Sequence, residues 1–425
     1  MRKTRFYFGV LVLGAVLFAA CGNKTEDTAA LTTTPEVTQE TETTPEPTAT
    51  PKPTQKPTPT PMGANLPAGI NLLNTYGKTF GRIGTCINGY QFTDQTALAL
   101  LKENYNSITL ENEMKPDAIL KDYRKQLSLE EAEAKGYVIP KNYRESTVPE
   151  LNFYYTDRAL DFCAENNLGL RGHTLVWHSQ TPNWFFREGY LPDGEFVTPE
   201  VMNARLEFYI RSVMGHVYDH EHGDVLYSWD VVNEYVHAEN SGWAAVYGEE
   251  GLTPSFVKLA FEIADDVLVQ YGIRENVSLL YNDFNTYSET LQILRLLEFV
   301  NTDKKVCDGV GMQSHLKVMN PPAIKFKMAV EDFLEAGLEV HLTELDAGNS
   351  NPTFHADYMY EIMEDLLELK QAGAEINGIT YWGISDVTSW RKDEKPLLFT
   401  TPKTPKLAYY KVLEAYVDAG LYVEE

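Results

Sequence analysis

From about Ala68 onward, short apolar runs alternate with longer segments in which apolar residues return every three or four positions. The short runs fall at 83–87, 107–111, 169–174, 226–232, 277–281, 309–314, 339–343 and 378–382, and they read as strands. The longer segments, among them 93–103, 204–217, 254–271, 288–300, 323–336 and 356–371, read as amphipathic helices. Strands alternating with helices predict an α/β fold with a parallel sheet. Eight such units predict a closed (β/α)8 TIM barrel over residues 68–425. A doubly wound sheet is the alternative, but it usually carries a Gly-rich first turn, and Gly81-x-x-Gly84 is too short to be one. Residues 121–149 are charged and turn-rich. They break the rhythm after the second strand and are expected to be an insertion on the barrel rim.

The first 67 residues follow neither pattern. Arg2, Lys3 and Arg5 precede an apolar run from Phe6 to Ala20. That run is shorter than the roughly 20 residues a membrane span needs, and it suits an export signal. Small residues Ala19 and Ala20 then lead into Cys21, which resembles a bacterial lipoprotein signal. Residues 1–20 are therefore expected to be the signal, and Cys21 the lipidated first residue of an extracellular, membrane-anchored protein. An ordinary signal peptide, leaving the protein secreted, is the alternative. Between residues 22 and 61 there are 14 Thr and 8 Pro and no aromatic residue. Such a segment cannot bury enough apolar surface to offset chain entropy. Residues 21–67 are expected to form an extended, disordered tether between lipid and barrel.

A formal net charge of −25 argues against nucleic acid and against direct binding to an anionic membrane surface. Beyond Cys21 three cysteines remain, Cys86, Cys163 and Cys307. The odd number gives no disulfide framework, and their wide spacing gives no zinc site, so buried free thiols are expected. His216, His220 and His222 lack a further placed ligand and are read as a helix end rather than a metal site.

A barrel of this type carries its chemistry at the C-terminal strand ends. Here those ends hold Glu111-Asn112-Glu113-Met114-Lys115, then His173 to His178, then Asn233-Glu234, then Asn282 to Asn285, then Gln313-Ser314-His315, then Glu344-Leu345-Asp346, and finally Trp382 with Trp390 beyond it. Helix caps and loops explain any one such end, but not seven together. Two glutamates, Glu234 and Glu344, stand after the fourth and seventh strands. Glycoside cleavage needs such a pair, one to protonate the leaving oxygen and one to stabilise or attack the oxocarbenium-like carbon.

Three long segments, in order, carry a specific resemblance. Trp229-Asp-Val-Val-Asn-Glu234, Thr343-Glu344-Leu-Asp346 and Gly172-His-Thr-Leu-Val-Trp-His-Ser-Gln180 are similar to motifs of glycoside hydrolase family 10, the TIM-barrel xylanases. The resemblance covers residues 70–420. It implies endo-hydrolysis of β-1,4-xylosidic bonds in xylan or xylo-oligosaccharides with retention of configuration. It assigns Glu344 as nucleophile and Glu234 as acid/base. Asn233 would bind the 2-hydroxyl of the cleaved sugar, His315 would hold Glu344, and Asp346 would orient His315. Glu111, Asn112, Lys115, His173 and Gln180 would bind sugars on the glycone side, with Gln313 beside the catalytic pair. Trp177, Trp382 and Trp390 would wall the cleavage subsite, excluding the hydroxymethyl arm of glucose. Phe284, with Asn285 next to it, stands on the leaving-group side, where the family often has Tyr. No metal or organic cofactor is needed by this chemistry, and a monomer is expected. A broader β-1,4-glucanase or transglycosylase is the nearest alternative. From another class, a non-catalytic surface sugar-binding lipoprotein remains open at this point.

Overall fold

The computed structural model describes residues 62–423, apart from 239, 349 and 350. The signal, Cys21 and most of the tether lie outside the described residues. Eight parallel strands form the barrel: β1 (Ile83–Ile87), β2 (Ser107–Leu110), β3 (Gly169–Trp177), β4 (Leu226–Asn233), β5 (Ser278–Asp283), β6 (Gly309–Met312), β7 (Glu339–Gly348) and β8 (Ile376–Tyr381). Each pairs with the next, and β8 closes the ring by pairing with both β7 and β1. Each is followed by a helix of the outer layer: α1 (Gln95–Asn104), α2 (Tyr154–Asn166), α3 (Pro199–Asp219), α4 (Ser255–Tyr271), α5 (Thr286–Val300), α6 (Ala323–Glu335), α7 (Pro352–Gln371) and α8 (Leu407–Asp418).

The runs lack polar alternation for a physical reason. Strands in such a barrel face a packed interior on one side and helices on the other, so both faces must be apolar or internally bonded. β3, β4 and β7 are accordingly buried along almost their whole length. Helix α4 buries Phe256, Val257, Ala260, Phe261, Ala264 and Leu268 at helical spacing. Each fully buried Phe, Val or Leu side chain among them stabilises the fold by about 1.5–3 kcal/mol. The helix ends are set locally. Asp94 caps α1 by accepting from the Thr96 and Ala97 amides, and Gly272 ends α4 in the left-handed region. Between β3 and β4 the Trp229 ring lies over Gly172, where a Cβ would come within 2.2 Å of the indole.

Several boundaries differ from the sequence expectation. β3 runs on to Trp177 and β7 to Gly348, so Glu344 and Asp346 are held by strand backbone rather than by loop. β6 stops at Met312, and Ser314 adopts a φ of 62°. Gln313 and His315 therefore do not share one continuous strand. His315 instead opens a short strand, His315–Lys317, that pairs with Asp346–Gly348. Residues 62–67, expected to end the tether, lie against the barrel. Leu66 packs on the core, and a Cβ on Gly63 would meet the Tyr410 ring at 2.5 Å.

The insertion has structure of its own. Gln126–Ser128 pairs antiparallel with Thr147–Pro149, and Ser128 and Glu131 form a capping box on the helix Leu129–Ala134. Tyr137 and Tyr143 pack edgewise or tilted against Phe208 of α3. Glu145 pairs with the buried Arg205 of α3, whose guanidinium also donates to the Phe185 and Arg187 carbonyls. The insertion is thus fastened to the outer layer behind β3.

Candidate active site

Strand ends two to eight converge on one cavity of about 470 Å³. β2 supplies Glu111, Asn112 and Lys115; β3 supplies His173 and Trp177; β4 supplies Asn233 and Glu234. Phe284 and Asn285 follow β5, Gln313 and His315 follow β6, Glu344 comes from β7, and Trp382 and Trp390 follow β8. Two of the expected site residues do not line it. Asp346 is buried behind His315. Gln180 is turned toward Asp117 instead, with Nε2 3.4 Å from Oδ2. No residue of the insertion reaches this cavity.

The two glutamates are tied together through amides. Gln313 Nε2 donates to Glu234 Oε1 at 2.8 Å and lies 3.2 Å from Asn233 Oδ1. Asn282 Nδ2 lies 2.9 Å from the same Asn233 oxygen and donates to Glu344 Oε1 at 2.8 Å. Trp177 Nε1 donates to the other oxygen of Glu234 at 2.7 Å. Glu234 takes a left-handed backbone conformation, φ 59°, at the end of β4. For a non-glycine residue this costs on the order of 1–3 kcal/mol and is a mark of functional sites.

Glu344 is almost wholly buried, and burial alone raises a carboxyl pKa. The His315 hydrogen bond and the charges of His173, His315 and Lys115 outweigh that and lower it to about 2. His315 Nε2 lies 3.1 Å from Glu344 Oε2 and its Nδ1 3.0 Å from Asp346 Oδ1. Burial disfavours the imidazolium, but Asp346 and Glu344 more than compensate and raise its pKa to about 10. Asp346 is held in turn by Arg391 and by Trp390 Nε1 at 3.0 Å. Carboxylate, imidazolium and carboxylate thus alternate across the floor of the site.

The Glu344–His315 contact contributes to both shifts and counts once. The Glu344 part of its stability is present above the ordinary carboxyl pKa of 4.5 and is lost as pH falls toward about 2. The His315 part is present below 6.5 and is lost as pH rises through about 10. His315→Asn removes the cation. The acidic limb of kcat/KM is then expected to move up by about 1 to 3 pH units, because an opposite charge at this range shifts a carboxyl by that much. An unmoved limb in a pH–rate profile would show that His315 does not hold Glu344 ionised.

The bonding roles of some residues were not read from the sequence. Asn282, fully buried, bonds Asn233, Glu344 and, through its oxygen, Thr343 at 2.6 Å. The buried Asp230 accepts from Arg171 and from His173 Nδ1, fixing His173 beside the cavity. Both lie on strands, facing the barrel interior; a polar residue within an otherwise apolar run was the available signal. Of the three histidines near the end of α3, His216 stacks on Phe153 at 3.8 Å and pairs with Asp157, while His220 lies 3.7 Å from Asp161 and accepts from the His222 amide at 3.2 Å.

A second hollow, of about 1150 Å³, opens between the loops after β3 and β4. Its aromatic rings are largely engaged with one another: Trp243 stacks on Phe256 at 4.7 Å and meets Phe186 edge-on at 5.0 Å.

A family model described as glycosyl hydrolase family 10 matches residues 71–415. The chain is 45% identical over 348 residues to an endo-1,4-beta-xylanase A of Butyrivibrio fibrisolvens, covering 82% of this chain and 85% of that one. It covers only 53% of a second endo-1,4-beta-xylanase from the same organism, at 36% identity over 81% of this chain. Among solved structures, the xylanase and carbohydrate-module portion of a Clostridium thermocellum endo-1,4-beta-D-xylanase, complexed with xylohexaose, superposes with a TM-score of 0.66. That match has 30% identity and covers 78% of this chain and 65% of the other.

Proposed function

Because the chain belongs to glycosyl hydrolase family 10, we infer that it hydrolyses internal β-1,4-xylosidic bonds of xylan, with Glu344 as nucleophile and Glu234 as acid/base of a retaining double displacement. The observation that carries the assignment is two glutamates in one cavity in unlike settings. Glu344 is buried and held ionised by cations, while Glu234 is partly open and bonded to neutral donors.

In the first step Glu344 Oε attacks the anomeric carbon, the C–O bond to the leaving sugar breaks, and Glu234 gives its proton to the departing oxygen. In the second, Glu234 takes a proton from water, the water oxygen bonds to the same carbon, and Glu344 leaves as a carboxylate. Two inversions return the original configuration. Asn233, placed between the pair, is suited to the 2-hydroxyl, where hydrogen bonds strengthen in the transition state. Trp177, Trp382 and Trp390 offer flat apolar faces to a pentose, and Lys115 lies over the Trp177 ring at 4.8 Å.

Reducing-sugar release from xylan is expected to exceed that from carboxymethylcellulose by about 100-fold or more, since a steric filter discriminates in that range. No release from xylan would overturn the enzymatic reading in favour of a binding protein. Comparable rates on both polymers would instead show a broader glucanase.

Cys21, after its apolar run, supports lipid anchoring at the outer face of a bacterial membrane, with the Thr/Pro segment as tether. Full-length protein made in bacteria fed radiolabelled palmitate is expected to carry label that Cys21→Ser abolishes. Unlabelled wild-type protein would rule the anchor out.

A further inference from the structure

Phe284, which the resemblance to family 10 sets on the leaving-group side of the cavity, has a polar neighbour that the catalytic scheme does not use. His237 ends the short helical turn Tyr235–His237 that follows Glu234. Its ring lies against Phe284, centroids 3.9 Å apart and planes 23° from parallel. Its Nδ1 is 2.7 Å from Oδ1 of Asp283, whose side chain is wholly buried. Asp283 is well supplied with donors: the Phe284 amide at 2.8 Å and the Tyr281 hydroxyl also bond it. That hydroxyl accepts in turn from the Val236 amide at 2.9 Å. The histidine is therefore gripped from its own turn and from β5.

This grip fixes the chemistry of the exposed edge. An ionised carboxylate only accepts, so the proton facing it belongs to Nδ1. Nε2 is then the nitrogen left over. The ring is about one-fifth exposed, and among the described residues no protein group bonds to Nε2. Burial disfavours the cation, but the Asp283 hydrogen bond and charge prevail and raise its pKa, and a sugar hydroxyl, which both donates and accepts, pairs with Nε2 whether or not that nitrogen carries a proton. Phe284 lines the cavity but offers only an apolar face. The ligand on this side is neutral rather than acidic, because Glu234 and Glu289 also bear on the ring.

We propose that His237 is a substrate-binding residue of the leaving-group side, hydrogen-bonding through Nε2 to a hydroxyl of the first xylose beyond the scissile bond, beside the apolar surface of Phe284. This rests on the xylanase reading above.

The test compares xylotetraose, which places sugar on the leaving side, with 2,4-dinitrophenyl β-xylobioside, which places none there and needs no proton for departure. His237→Phe keeps a ring against Phe284 but removes the hydrogen-bonding nitrogen. It is expected to lower kcat/KM on xylotetraose about 10-fold more than on the aryl xylobioside. His237→Gln restores a hydrogen-bonding group and is expected to recover part of that difference. Equal losses on the two substrates in both variants would overturn the proposal. A parent enzyme inert on both substrates would overturn the xylanase reading itself. Parent activity with equal losses in the variants would overturn the role of His237 alone.

Discussion

Glu344→Ala is expected to reduce kcat on xylan by about 10⁵-fold, the scale of loss when a covalent nucleophile is removed. The alanine leaves a space beside His315, Asn282 and His173, three groups that now converge on a carboxylate. A small anion fits that vacancy and its positive surroundings. Azide added to the variant is therefore expected to restore turnover of 2,4-dinitrophenyl β-xylobioside. Its terminal nitrogen bonds to the anomeric carbon as the aryl oxide leaves, so the product is the α-glycosyl azide, identified by NMR. Full activity without azide would remove Glu344 from the nucleophile's role. A β-azide would mean that the anion enters from the opposite face, and the two glutamates would have to exchange roles.

Glu234→Ala tests the other half and distinguishes substrates by their leaving groups. General acid catalysis contributes about 10²–10⁴-fold. Loss on xylan is expected in that range, because a sugar alkoxide cannot leave without a proton. Dinitrophenolate can. On the dinitrophenyl xylobioside the first step is therefore expected to stay fast while the second, lacking its base, slows. A burst of dinitrophenolate equal to the enzyme concentration, followed by slow release, is the expected trace. Equal losses on xylan and the aryl glycoside, with no burst, would count against Glu234 as acid/base.

Eight strands and six outer helices were legible because parallel strands in a closed barrel are apolar on both faces and amphipathic helices carry their period openly. Helices α2 and α8 were not. Tyr154–Asn166 follows directly on the turn-rich insertion, which obscured where a regular element resumes. Leu407–Asp418 lies past the last strand, and its role shows only in three dimensions, where the Tyr76 hydroxyl donates to the Val412 carbonyl at 2.7 Å. In the site, the catalytic candidates were visible because they stand in motifs at strand ends. The roles of Asn282, Asp230 and Arg171 were not, because their partners lie on other strands 49 to 62 residues away in the chain. Gln180 shows what a motif leaves open. It stands in a matching motif, yet the loop after β3 turns its amide toward Asp117.

Cys86, Cys163 and Cys307 are all unpaired and buried within the barrel, and burial raises each thiol's pKa. Nucleophilic sulfur is the thiolate, so the closed domain presents almost none to a reagent. Assembly of this body calls for no oxidant, and a reducing medium takes nothing from it. Iodoacetamide then becomes a reporter of opening: the mass of the alkylated chain counts molecules whose interior has met solvent.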